Sequence, residues 1–147
     1  TYDLKPEMKA REITERLIPA LRERSYGLVV LNYANADMVG HTGNFDATVR
    51  ACEVVDECIG QVVKILLEEN GIAMITGDHG NAEQMIDYET GSIHTAHTMN
   101  PVPLILVDEK LKSCCLSSGT AIDVAPTILS LIGLPRPSEM TGRSLIK

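Results

Sequence analysis

What the chain lacks sets its first limits. No run of about 18 consecutive apolar residues occurs, so no segment is suited to span a bilayer as a helix. Positive charge is in deficit, with 13 Lys and Arg against 20 Asp and Glu and a formal net charge of -7. That leaves no electrostatic footprint for nucleic acid or an anionic membrane surface. An acidic protein that handles phosphates then needs metals, or local Arg and Lys, to offset the repulsion. Cysteine is scarce, and its four positions carry no zinc-ligand spacing. Cys52 and Cys58 would point to different faces of a helix, Cys114 and Cys115 are adjacent, and reduced thiols in a cytoplasmic protein are the expectation. There is no signal-peptide pattern, no repeat and no low-complexity stretch. The chain opens in mid-phrase on Thr1 (T-Y-D-L-K-P-E-M), which is expected of an excised or processed piece of a longer protein. What remains is 147 residues, 44% hydrophobic and 22% charged, enough for one globular domain with a real core.

The pattern along the chain predicts alternating helices and strands. Residues 6–24 read as a helix, with Pro6 in its first turn and Ile13, Leu17 and Leu21 on one stripe. Residues 27–32 (G-L-V-V-L-N) read as a buried strand and residues 33–43 as a loop. Asn44 is placed to cap a long helix reaching Asn70, with Asp46 in its first turn and Ala51, Val55, Cys58, Val62 and Leu66 on one face. Gly71 is expected to stop it. Residues 72–76 (I-A-M-I-T) read as a second strand. This strand-helix-strand unit predicts a parallel pair with a right-handed crossover, so that both following loops open at one sheet edge, where ligands bind in α/β proteins. Residues 82–88 are expected to form a short helix and residues 89–100 a polar loop. Residues 102–107 (V-P-L-I-L-V) read as a third strand, antiparallel to the others, with Pro103 at an edge or at its first position. Residues 121–132 read as a closing helix with Asp123 near its start, stopped by Gly133, before an irregular tail.

Three glycine- and asparagine-rich stretches carry five residues of metal-ligand type. They are Asp37 and His41 in N-A-D-M-V-G-H-T-G, Asp78 and His79 in T-G-D-H-G-N, and His97 in H-T-A-H-T-M-N-P-V-P. A spacing of four lets Asp37 and His41 reach one ion, although a lone pair of this kind often belongs to a surface loop with a capping Asp. Asp78 and His79 end a strand, and Gly77 and Gly80 beside them allow close approach by a ligand; the plain alternative is an Asx turn. His94 and His97 share a loop, and spacing does not choose between them, but His94 is read as solvated. Carboxylate and imidazole together suit a divalent transition metal such as Mn or Zn. Asp46, Asp56 and Asp87 read as capping or solvated carboxylates. Asn32, Asn35 and Asn81 could orient ligands, and Lys5 and Arg143 are candidate anion contacts. Clusters meeting at one edge make a metal-dependent phosphoryl-transfer site the expectation, and that convergence rests on topology alone.

Read together, the stretches T-Y-D-L-K-P-E-M, N-Y-A-N-A-D-M-V-G-H-T-G-N, I-T-G-D-H-G-N-A-E and A-H-T-M-N-P-V-P-L resemble the cofactor-independent (2,3-bisphosphoglycerate-independent) phosphoglycerate mutases of the alkaline phosphatase superfamily. The closing D-V-A-P-T-I-L-S-L-I-G-L-P and M-T-G-R-S-L are similar to the wider superfamily. The resemblance implies a three-layer α/β/α fold with a mostly parallel sheet, of which residues 1–147 would be the C-terminal part of the metal-binding phosphatase-like domain, without the substrate domain. It implies that Asp37, His41 and His97 hold one metal and that Asp78 and His79 supply two ligands of another, Mn above all, with Mg, Co or Zn as alternatives. It gives His94 no ligand role. It implies an isomerase that interconverts 2-phosphoglycerate and 3-phosphoglycerate in glycolysis and gluconeogenesis through a phosphoserine. The nucleophilic Ser and catalytic Lys of that family match nothing in this chain, so residues 1–147 alone are expected to be inactive. The partners implied are a small-molecule substrate, with no nucleic acid and no membrane. A monomeric parent is expected, and a piece stripped of its sheet neighbours would expose an apolar surface open to self-association. The rivals are a phosphatase, phosphopentomutase or phosphodiesterase of the same superfamily, against which A-H-T-M-N-P-V-P argues, and a non-catalytic domain that binds a metal or a partner.

Overall fold

A computed structural model describes residues 1–147 and divides them into two compact units, residues 1–108 and 109–147. The first unit holds a 3-10 turn over Tyr2–Leu4, three α-helices and one small sheet: α1 (Ala10–Arg22), α2 (Asn35–Gly40), α3 (Phe45–Glu68), β1 (Ala73–Thr76) and β2 (Leu104–Val107). The second holds α4 (Val124–Leu131), led in by one 3-10 turn over Ala121–Asp123. No helix is long and apolar enough to cross a membrane.

The long helix α3 begins where its cap puts it. The Asn44 side chain accepts the Ala47 N–H at 3.1 Å and satisfies one of the donors that a helix start leaves free. Ala47, Ala51, Val54, Cys58 and Ile65 are buried along its inner face. Expected neighbours Val55, Val62 and Leu66 lie at the margin of that face, half-buried. At its end it is Asn70, not Gly71, that takes the left-handed conformation (φ 57°), and the Gly71 N–H returns to the Leu66 carbonyl at 2.6 Å.

Helix α1 starts later than expected because Met8 sits at φ 44°, a value no right-handed helix admits. Ala10 of α1 packs with Val54 and Cys58 of α3, and Tyr33 closes over them. Thr14 spends its hydroxyl proton on the Ala10 carbonyl at 2.8 Å, so the Tyr33 hydroxyl donates to Thr14 at 2.5 Å. Burial pushes the Tyr33 phenol upward, partly offset by that bond.

The sheet departs from expectation. It has two strands, antiparallel, with Ala73 opposite Val107 and Thr76 opposite Leu104. The antiparallel direction of β2 is as foreseen, and Pro103 stands just before it. The expected strand over residues 27–32 is absent, and with it the parallel pair and the crossover. That segment runs without a ladder, and Leu28 and Val30 are 55% and 86% exposed. A strand exists only against a partner, because its own backbone groups cannot satisfy one another. The expected helix over residues 82–88 is also absent. Backbone groups there are committed elsewhere: the Met85 carbonyl accepts the His94 N–H at 2.9 Å, and Ile86 bridges Ile93.

In the second unit the 3-10 turn and α4 together cover the expected closing helix, and Gly133 (φ 72°) ends it. Asp123 organises the unit. Its carboxylate accepts the Thr120 N–H at 2.9 Å and the Arg143 N–H at 2.8 Å. Those bonds, the Arg143 one first, hold its carboxyl below the ordinary range. Thr127, fully buried, donates to the Asp123 carbonyl at 2.6 Å and accepts the Leu145 N–H at 3.0 Å. All four cysteines are free.

Candidate metal centre

Asp37 stands on α2, not on a loop, and His41 is the residue that caps its end. A spacing of four is one helical turn, so both side chains leave the same face. The short helix cannot hold itself; α3 and its lead-in hold it. Val39 is fully buried against Ala47 and Ala51 of α3, with Met8 packed alongside. At its start the buried Asn35 side chain donates to the Pro6 carbonyl at 2.8 Å. At its end Gly40 lies under the side chain of Asn81; a β-carbon there would collide with the Asn81 carboxamide.

His97 comes to this pair from the far side, on the loop ahead of β2. Its Nε2 lies 3.1 Å from Asp37 Oδ1 and 3.0 Å from His41 Nε2, while His41 Nε2 is itself 3.1 Å from the same oxygen. Three ligand atoms from two separate segments therefore meet within hydrogen-bond distance. His41 Nδ1 faces the Thr95 carbonyl at 2.6 Å. A carbonyl only accepts, so Nδ1 carries a proton, which leaves Nε2 as the ring nitrogen that faces the cluster and could ligate a metal. The mixed O and N donor set fits a divalent transition metal.

His79 joins the group from the loop after β1. Its ring stacks on His97 with centroids 3.8 Å apart, and Asp37, His79 and His97 each bring a ligand atom within 4.8 Å of the others'. Asp78 stands apart: its carboxylate is 3.7 Å from His79 Nε2, and its side chain is 77% exposed against 31% for Asp37. So four of the five expected residues gather closely, and Asp78 lies at the rim. His94 is occupied elsewhere, with Nδ1 3.2 Å from the Gln84 carbonyl. Asn32 is exposed, and Asn81 is buried with its Nδ2 unpartnered. Asp87 caps a turn, accepting the Glu89 and Thr90 N–H groups at 2.9 Å each. Lys5 and Arg143 are exposed, in the first and second unit respectively.

The residues that hold the loops together were not visible in the sequence. Gly80 and Thr98 form a bridge, with the Thr98 N–H on the Gly80 carbonyl at 2.9 Å. Glu83 takes the Asn81 N–H at 2.6 Å on one oxygen, and the Thr98 hydroxyl together with Asn100 Nδ2 (2.9 Å) on the other. The partial loss of water around it would raise this carboxyl, but the hydrogen bonds from Thr98, Asn100 and Asn81 outweigh that and leave it below its ordinary value. A faint signal was available: polar residues on both arms, with a glycine where they close.

Comparison with known proteins gives a consistent picture. A family model described as the Metalloenzyme superfamily matches residues 1–136. The 2,3-bisphosphoglycerate-independent phosphoglycerate mutase of Acetivibrio thermocellus is 55% identical over 146 residues, covering 99% of this chain and 28% of that protein. A second, from Methanosarcina barkeri, is 56% identical over 147 residues, again 99% and 28%. Among solved structures, a Leishmania mexicana phosphoglycerate mutase crystallised at low cobalt concentration superposes with a TM-score of 0.89 at 31% identity, over 99% of this chain and 29% of its own. The chain thus spans less than a third of the length of the relatives it matches.

Proposed function

Since the chain belongs to the metalloenzyme superfamily, we propose that it is the metal-holding part of a 2,3-bisphosphoglycerate-independent phosphoglycerate mutase, an isomerase that interconverts 2- and 3-phosphoglycerate. The observation that carries this reading is the meeting of Asp37, His41 and His97 within 3.0 to 3.1 Å. Identity of 55% along nearly the whole chain to proteins of that name supports the substrate.

In this reading Asp37, His41 and His97 hold one divalent ion, and His79 with Asp78 supplies two ligands toward a second, Mn being favoured. Such ions supply Lewis acidity, lowering the pKa of a hydroxyl nucleophile and offsetting phosphoryl charge. The Thr95 carbonyl keeps the His41 lone pair aimed inward, and the stack of His79 on His97 fixes the two rings as one block. The phosphoryl group would pass to a serine and return to the other hydroxyl of the glycerate. No serine is bonded to Asp37, His41, His79 or His97 here, so the nucleophile is assigned to the part of the relatives that this chain does not span. The complete protein would be a cytoplasmic three-layer α/β/α enzyme in which residues 27–32 find a strand partner.

Calorimetry with Mn(II) on residues 1–147 and on His97→Ala tests the site. The variant should lose more than about 100-fold in affinity, since even outer partners of a ligand cost about 10- to 100-fold. Equal binding by both would overturn the ligand assignment. Turnover of 3-phosphoglycerate by residues 1–147 alone would overturn the placement of the nucleophile.

A further inference from the structure

We propose that Glu83 is a positioning residue for the metal centre: its carboxylate ties the loop of His97 to the loop of His79 and so sets the stack of the two rings. The inference rests on the metal reading of that site. Each oxygen of Glu83 serves one arm. Oε2 accepts the N–H of Asn81, two residues after His79. Oε1 accepts the hydroxyl of Thr98, directly after His97, and the side-chain amide of Asn100 at 2.9 Å. The Thr98 hydroxyl also accepts the Asn100 N–H at 3.2 Å, so the arm beyond His97 is folded back on itself. Between the arms lies Gly80. A β-carbon on it would be 2.5 Å from Glu83 Oε1 and would collide with the Thr98 hydroxyl. The bare α-carbon is thus what lets the carboxylate and the hydroxyl close over the bridge.

The lever is short. Fixing the N–H and hydroxyl of Thr98 fixes the α-carbon of His97 within one peptide unit, about 3.8 Å. Fixing the Asn81 N–H does the same for the turn that carries His79. Gln84 adds a second tie, its Oε1 accepting the same Asn100 amide at 3.1 Å, but Glu83 is the side chain that reaches both the Asn81 N–H and the Thr98 hydroxyl. Glu83 is itself exposed, so its bonds add little to global stability, and their effect is local.

The test uses residues 1–147 with three variants and two readouts. Amide exchange of Thr98 is followed by NMR in metal-free protein, and Mn(II) affinity by calorimetry, with the thermal midpoint as control. Glu83→Gln places an NH2 where one of the donors sits. It should speed Thr98 exchange about tenfold and weaken Mn(II) about tenfold, the size usual for groups that orient a metal ligand, with the midpoint unchanged. Thr98→Val should do the same, and Thr98→Ser, which keeps the hydroxyl, should restore both. Wild-type exchange in Glu83→Gln overturns the proposal, as does a fall in midpoint that accounts for the lost affinity. If Thr98 exchange rises while wild-type protein takes up no Mn(II), the tie between the loops stands and the metal reading of the site fails.

Discussion

The centre has two halves built on different principles. Asp37 rides on α2 and His41 caps it, one turn on, and that helix is pressed onto α3 by Val39 and pinned at Asn35. His79 and His97 ride on loops, and what aligns them is a set of surface hydrogen bonds converging on Gly80 and Glu83. In the first half the position of the ligands is inseparable from the core. In the second it is a local matter, which the protein could lose while staying folded. Substitutions should therefore separate stability from metal affinity according to the half they touch.

The largest effect is expected from Gly40→Ala. Its β-carbon would run into the buried Asn81 carboxamide, and overpacking of this kind costs about 1–3 kcal/mol. Denaturant melts should show that loss, with affinity falling in step. Next comes Gly80→Ala, the counterpart on the loop side. The atoms it meets are ends of side chains, Thr98 Oγ1 and Glu83 Oε1, so the loops should part with little change in the melt, while Mn(II) affinity drops about tenfold. A melt as damaged as that of Gly40→Ala would erase the distinction between the halves. Asn44→Ala removes the cap of α3, and with it about 1 kcal/mol. Because α3 supports the helix half, affinity should fall with the melt, by less than in Gly40→Ala.

The smallest effect is a pH response confined to the loops. Bonds from the Thr90 and Glu89 N–H groups hold the Asp87 carboxyl below its ordinary value of 3.8. A carboxyl depressed on folding stabilises fully above that ordinary value and loses its contribution as pH falls through the lowered one. The Glu89 and Thr90 amide resonances should thus titrate with a midpoint under 3.8. A midpoint at or above it would mean the turn is not made in solution.

The same division explains what could be read from the sequence. Helix α3 was legible because a helix meets its own backbone needs: the Asn44 cap and the spacing of Ala51 and Cys58 are local facts. The antiparallel course of β2 followed from the need to bring His97 back toward Asp37. By contrast, G-L-V-V-L-N has the composition of a strand but no ladder, since a ladder is a property of two segments and only one is here. Residues 82–88 were expected to form a short helix, yet Met85 gives its carbonyl to His94, a claim made by a distant loop that no local pattern records. Helix α2 was hidden by its polar, glycine-flanked sequence, although the spacing of Asp37 and His41 carried its period. The three stretches were expected to meet: Asp37, His41, His79 and His97 come together, and Asp78 lies beside His79 at 3.7 Å.

The bond from His41 Nδ1 ends on the backbone oxygen of Thr95, and this has a consequence for how the centre tolerates mutation. Every amino acid supplies the same carbonyl, so no exchange of side chain at position 95 can delete it. The orientation of one ligand is in this way removed from the reach of most point changes at its partner, and depends instead on the course of the chain. Drift at position 95 should be silent for His41, whereas an insertion or deletion anywhere in the loop would not be.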